Sequence, residues 1–172
     1  SRASDPFLDY FEYPTIVQQG QFISTAGFGT DFVMDNTYAY IAHRHAVADS
    51  DSTRLIILNI SNPQLPVRVT TGSWDFDQDS EAVRNVLVVG DVAYLAVNDS
   101  IRPIGMSTNR NTLTPLQPIG HPTLGDEWTP SRMMYRNNHL YITSGSRVSA
   151  FKISPGGTLT FASESRLFLP SS

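Results

Sequence analysis

Apolar and polar residues alternate through this chain in short runs, and the runs recur at a fixed distance. Three of them align without gaps on a tyrosine: Asn36-Thr37-Tyr38-Ala39-Tyr40-Ile41-Ala42, Gly90-Asp91-Val92-Ala93-Tyr94-Leu95-Ala96 and Asn137-Asn138-His139-Leu140-Tyr141-Ile142-Thr143. An apolar run stands before each copy, at 31–34, 86–89 and 133–135. The Asn, Gly and Asp residues between the runs tolerate the positive φ of a tight turn, so each copy predicts a β-hairpin. A third strand follows at 55–60, 101–106 and 148–153, ending on Ser61, Ser107 and Ser154, which are 46 and 47 residues apart. The run at 55–60 is nearly unbroken in apolar residues, as suits a strand covered on both faces. Pro103 interrupts the second copy and predicts an edge or a bulge there, because proline cannot donate to a sheet ladder. A fourth strand closes each unit at 66–72, 113–120 and 159–164.

A four-stranded unit repeated every forty-odd residues predicts an all-β fold of β-propeller blades. The blades fall at about 31–72, 83–120 and 130–164, inside a partial propeller at 21–172. Residues 22–27 read as the outer strand of one further blade, and residues 1–20 as an N-terminal arm outside the repeats. Tyr40 and Tyr94 are 54 residues apart against 47 for Tyr94 and Tyr141. The excess predicts a loop insertion between His43 and Thr53, on a rim where binding loops sit. Propellers close with roughly four to eight blades, so three blades leave two radial apolar faces open. A protein partner is therefore expected to complete the ring: a second copy, a different chain, or further sequence of a longer polypeptide.

Composition keeps the chain among globular proteins, since 40% hydrophobic residues against 16% charged lies outside the disordered range. No apolar stretch reaches the length of a transmembrane helix. A net charge of −4 offers no broad basic surface for nucleic acid. The absence of cysteine excludes disulfides, thiolate metal sites and cysteine nucleophiles.

The run of strand, Asn/Gly turn, Ala-Tyr-Ile/Leu-Ala, strand and then Ile60-Ser61-Asn62-Pro63-Gln64-Leu65-Pro66-Val67 resembles the LVIVD-type repeat of bacterial and archaeal surface propellers. Residues 36–42 and 55–72 carry the resemblance best. In the later copies Thr108-Asn109 and Pro155-Gly156 replace Asn-Pro, so the likeness there rests on the hairpin and the spacing. The resemblance implies propeller architecture, an extracellular or cell-surface location, and roles in binding or assembly.

Candidate chemistry is sparse. Asp75, Asp77, Asp79 and Glu81 alternate along one inter-blade segment, and alternating carboxylates are how calcium loops begin. Ser80 and Val86 then occupy the positions where an EF-hand needs glycine and a bidentate acid. No cofactor is called for, with calcium the candidate ion for this segment. His43 and His45, two apart on a strand, project to one face and could share a transition metal if His121 supplied a third ligand. Trp74 and Trp128, after the fourth strands, are candidate stacking platforms for a carbohydrate or anchors for a partner; the structural alternative is that they seal adjacent blades. No catalytic residue is assigned, for there is neither a nucleophile elbow nor a phosphate-binding glycine loop. Two classes of function fit. One is a non-catalytic module that associates through rim loops and open blade edges. The other is part of a propeller enzyme or carbohydrate-binding propeller with a metal site at the rim.

Overall fold

A computed structural model describes residues 28–47, 50–69 and 83–167, with residues 28, 44–47 and 50–54 described by backbone only. These residues form three antiparallel sheets. The first contains β1 (Phe28–Met34), β2 (Tyr38–Val47), β3 (Ser50–Asn59) and β4 (Val67–Arg68), in that order. The second contains β5 (Val83–Val89), β6 (Val92–Val97), β7 (Ser100–Met106) and β8 (Leu113–Pro115), with β9 (Ile119–Gly120) also pairing with β7. A short 3-10 turn, Gly125–Glu127, leads to the third: β10 (Arg132–Arg136), β11 (His139–Ser144), β12 (Arg147–Ile153) and β13 (Leu159–Arg166). The first strands β1, β5 and β10 touch in series, so the sheets stand as blades fanned about one side. The arm, the strand expected at 22–27 and the far end of the fourth strand of blade 1 lie outside the described residues.

The same turn between first and second strands is built with three different chemistries. In blade 1 the Asp35 carboxylate accepts the backbone N–H groups of Thr37 and Tyr38, each at 2.7 Å. This side-chain mimic of a turn needs no positive φ. In blade 2 Gly90 takes φ +59°, and in blade 3 Asn137 and Asn138 take +49° and +60°, the residue types for which that region is least costly.

Two expectations change. The excess residues of blade 1 do not form a loop: β2 and β3 stay paired from Tyr38↔Asn59 out to Val47↔Ser50. The insertion therefore lengthens a hairpin. Pro103 is not at a sheet edge either, since it faces Tyr94 in the β6–β7 ladder. The fourth strand divides around it instead, with β8 pairing with residues 104–106 of β7 and β9 with residues 100 and 101.

The core lies between blades. Tyr40, Ala42, Leu55 and Ile57 of blade 1 pack on Val86, Ala93 and Leu95 of blade 2. Tyr94, Ala96 and Ile101 of blade 2 pack with Trp128 and with Leu140, Ile142 and Phe151 of blade 3. Both faces of the middle sheet are thus buried, and its second strand reads as a continuous apolar run for that reason.

Gly157, in the turn between β12 and β13, makes the closest approach across the second junction. It has φ +81°, and a Cβ there would fall 2.6 Å from Val92 Cγ2. Gly157→Ala combines backbone strain with overpacking and is expected to destabilise the protein by about 2–4 kcal/mol in urea unfolding. Gly156→Ala, with nothing within 4 Å of its Cβ, should shift the midpoint little.

Candidate functional site

Blades are coupled at one repeated position, nine residues before each repeat tyrosine. It is Asp31 in β1, Asn85 in β5 and Arg132 in β10. The Asp31 Oδ2 accepts from Asn85 Nδ2 at 2.6 Å and from the Val86 N–H at 2.9 Å. One blade on, the Asn85 Oδ1 accepts the Met133 N–H at 2.8 Å. A side-chain acceptor on one inner strand therefore takes a backbone donor from the next, twice, with the same offset. Asn85 is buried and satisfied at both ends. The third position departs from the rule, because arginine has no acceptor. Arg132 Nη1 stands 3.9 Å from Asp31 Oδ1, and its side chain remains 75% exposed. Sequence reading missed this series, although the spacing from each tyrosine was available.

A second coupling runs through the tyrosines. Tyr40 donates to Asp35 Oδ2 at 3.1 Å and accepts from Arg110 Nε at 3.0 Å. Arg110 lies three residues past Ser107, between β7 and β8. It also pairs with Asp91 at 2.5 Å, and its guanidinium sits 5.9 and 6.0 Å from the Tyr38 and Tyr40 ring centres. Burial raises the Tyr40 pKa, outweighing the stabilisation of phenolate by Arg110. Burial would raise Asp35 as well, but the N–H groups of Thr37 and Tyr38, the Tyr40 hydroxyl and the Arg110 charge together hold it below its ordinary value. Tyr94 repeats the link, donating to the Gly157 carbonyl at 2.8 Å, and Gly157 lies three residues past Ser154. Burial, with a contribution from Tyr135, pushes its pKa up to about 12. Tyr141 breaks the series. It is 38% exposed, and its hydroxyl has no hydrogen-bond partner among the described residues.

The residues singled out from sequence fare differently. Trp128 is fully buried, 5.5 Å from Phe151 and 5.7 Å from His121 between ring centres. It seals the second junction and is no platform at the rim. His121 is buried beside it and against Phe161 at 5.1 Å. Its Nδ1 accepts the Thr123 N–H at 3.3 Å, which places the ring proton on Nε2, 2.9 Å from Glu164 Oε2. That contact is close but lacks the alignment of a hydrogen bond. Glu164 Oε1 in turn takes Arg147. His121 is thus committed to blade 3 packing, while His43 is buried on β2 of blade 1. Among the described residues no three His, Cys, Asp or Glu side chains converge on an ion position. The side chain of His45, and Trp74, Asp75, Asp77, Asp79 and Glu81, lie outside the described set.

What the two outer sheets present is apolar. Cross-strand pairs share a face, and Val33↔Tyr40, Leu87↔Tyr94 and Met134↔Tyr141 are equivalent pairs. The first two are packed by the following blade; Met134 of the third is 67% exposed. This is the trailing face of blade 3. On the leading face of blade 1, Phe32 and Met34 are 62% and 67% exposed, although their equivalents Val86 and Val88 pack against blade 1. Phe32, Ala39 and Ile41 line an open pocket of about 350 Å³ there. Leu65 and Val67, at the turn into β4, are exposed also.

No protein-family model and no curated protein matches this sequence. Solved structures match in fold. A protein from Lactobacillus plantarum superposes with a TM-score of 0.64 at 13% identity, over 84% of this chain and 43% of its own. The periplasmic gluconolactonase PpgL of Pseudomonas aeruginosa gives 0.60 at 14%, over 86% and 44%. The fold is all-β and propeller-like, and the chain spans under half the length of these two proteins. No helix among the described residues is long and apolar enough to cross a membrane.

Two substitutions test the couplings. Asn85→Asp sets a second carboxylate against Asp31; stability should fall by about 2–3 kcal/mol at neutral pH, and the loss should shrink as pH drops and the pair takes up a proton. For Tyr94, a raised folded pKa means its contribution is complete below pH 10 and is lost as pH climbs towards 12. Tyr94→Phe should therefore flatten the decline of unfolding free energy across that window, alongside a pH-independent loss of about 1 kcal/mol for the missing hydrogen bond.

Proposed function

We propose that this chain is a non-catalytic propeller module for binding and assembly, associating with protein through its open blade faces and adjoining turns. The carrying observation is the tyrosine series. Tyr40 and Tyr94 are buried with their hydroxyls bonded into the next blade, whereas Tyr141 holds the same position on an exposed face. A side chain built for a junction stands without the other half. The resemblance to LVIVD-type surface propellers, and the periplasmic setting of the similar gluconolactonase, support a location outside the cytoplasm, at a cell surface or beyond it.

A second reading has one specific observation behind it. Similarity to a gluconolactonase, with a carboxylate, an amide and a guanidinium at one level of the inner strands, would suit part of a propeller enzyme or a carbohydrate-binding propeller. The committed use of Asp31 and Asn85 in blade coupling counts against it.

A photo-cross-linking residue in place of Phe32 or Met134 tests the association reading in cells that make the protein. A discrete covalent adduct from both positions, and none from a control at exposed Asn109, is the expected outcome. No adduct from either face would remove association as the function.

A further inference from the structure

We infer that His121 is a proton-operated catch at the junction of blades 2 and 3, exchanging one hold on Thr123 for another as it gains or loses a proton. This junction is built from described residues and stands whatever covers the outer faces. His121 follows β9 directly, at the start of the connector that carries Trp128 into the core. Its side chain is 2% exposed and packs against the Trp128 and Phe161 rings. The ring is held in place while its two nitrogens face different partners.

The two forms of a histidine differ in what those nitrogens offer. A neutral ring has one donor and one acceptor, and a charged ring has two donors. With the ring neutral, Nδ1 accepts the Thr123 N–H at 3.3 Å. Uptake of a proton turns Nδ1 into a donor, and the Thr123 N–H then opposes it. The Thr123 hydroxyl stands at the same 3.3 Å from Nδ1 and, unlike the N–H, can accept. One threonine thus serves both states of the ring, through its main chain in one and its hydroxyl in the other. The turn at residues 121–124 moves in passing between them.

The other nitrogen favours the same change. Nε2 and Glu164 Oε2 are buried 2.9 Å apart without the alignment of a hydrogen bond. A charged ring pulls them into line, because a hydrogen bond between two ions is shorter and stronger than one from a neutral donor. Glu164 comes from β13, and Arg147 of β12 is bonded to its other oxygen. Asp126 and Glu127 of the connector are exposed, Asp99 of the β6–β7 turn lies beside Gly120, and Tyr94 of blade 2 is bonded to Gly157. Among the described residues, Glu164 is the charged group in contact with the ring. The connector joins the two blades, so a proton taken up at His121 is felt at their junction.

Heteronuclear NMR of the assigned full chain, followed from about pH 8 to pH 5, tests this. The neutral ring should carry its proton on Nε2, and the Thr123 amide should shift with the same pH midpoint as the ring. Thr123→Val, at an exposed position, keeps the N–H and removes the hydroxyl. It should move that midpoint to lower pH, leave urea unfolding unchanged where the ring is neutral, and lower stability where the ring is charged. Thr123→Ser, which retains the hydroxyl, should restore the midpoint of the parent chain. A neutral ring with its proton on Nδ1, a ring that stays neutral until the chain unfolds, or a Thr123 amide indifferent to the titration overturns the proposal. So does a midpoint that Thr123→Val leaves in place or that Thr123→Ser moves as far as Thr123→Val.

Discussion

Every sheet here carries apolar side chains on both faces, and no blade can bury both by itself. That constraint organises the molecule. In a strand, successive residues project to opposite faces, so a blade with Ile41 on one side and Tyr40 on the other must have a neighbour on each. The middle blade has both neighbours, and Ala93 through Val97 are all fully buried. Among the described residues the outer blades have one each, and their remaining faces hold the exposed Phe32, Met34 and Met134. Repeat proteins whose units contact only their neighbours behave in this manner, with stability residing in the junctions as much as in the units.

Apolar burial alone would let blades slide, because dispersion and hydration have little directional preference. The polar links supply register. Asp31 and Asn85 pin the inner strands with bonds at a fixed offset, and the tyrosine hydroxyls pin the outer half of each junction. These links sit in partly or fully buried surroundings, where a missing partner costs more than a formed bond contributes. A junction displaced by one residue would strand several of them at once. The twice-repeated offset at two independent junctions marks the links as part of the blade pattern and not as incidental contacts.

Much of this was legible from spacing. The tyrosine-centred hairpins, the serine period and the four-strand units all describe local chain geometry, and local geometry is what a periodic sequence encodes. Junction chemistry was not legible, because it joins residues such as Asp31 and Asn85, 54 apart, whose letters carry no sign of the contact. Spacing shows an excess of residues but not their form: the insertion between His43 and Thr53 read as a loop, whereas the same excess lengthens a paired hairpin. For Trp128 the sequence left two readings, a platform at the rim and a seal between blades, and its burial agrees with the seal. The 3-10 turn at Gly125–Glu127 precedes it, and the ring ends among Phe151 and His121. His121 was a third ligand only if the blades brought its loop beside His43 and His45; its Nδ1 is occupied by Thr123 and its ring is used in packing.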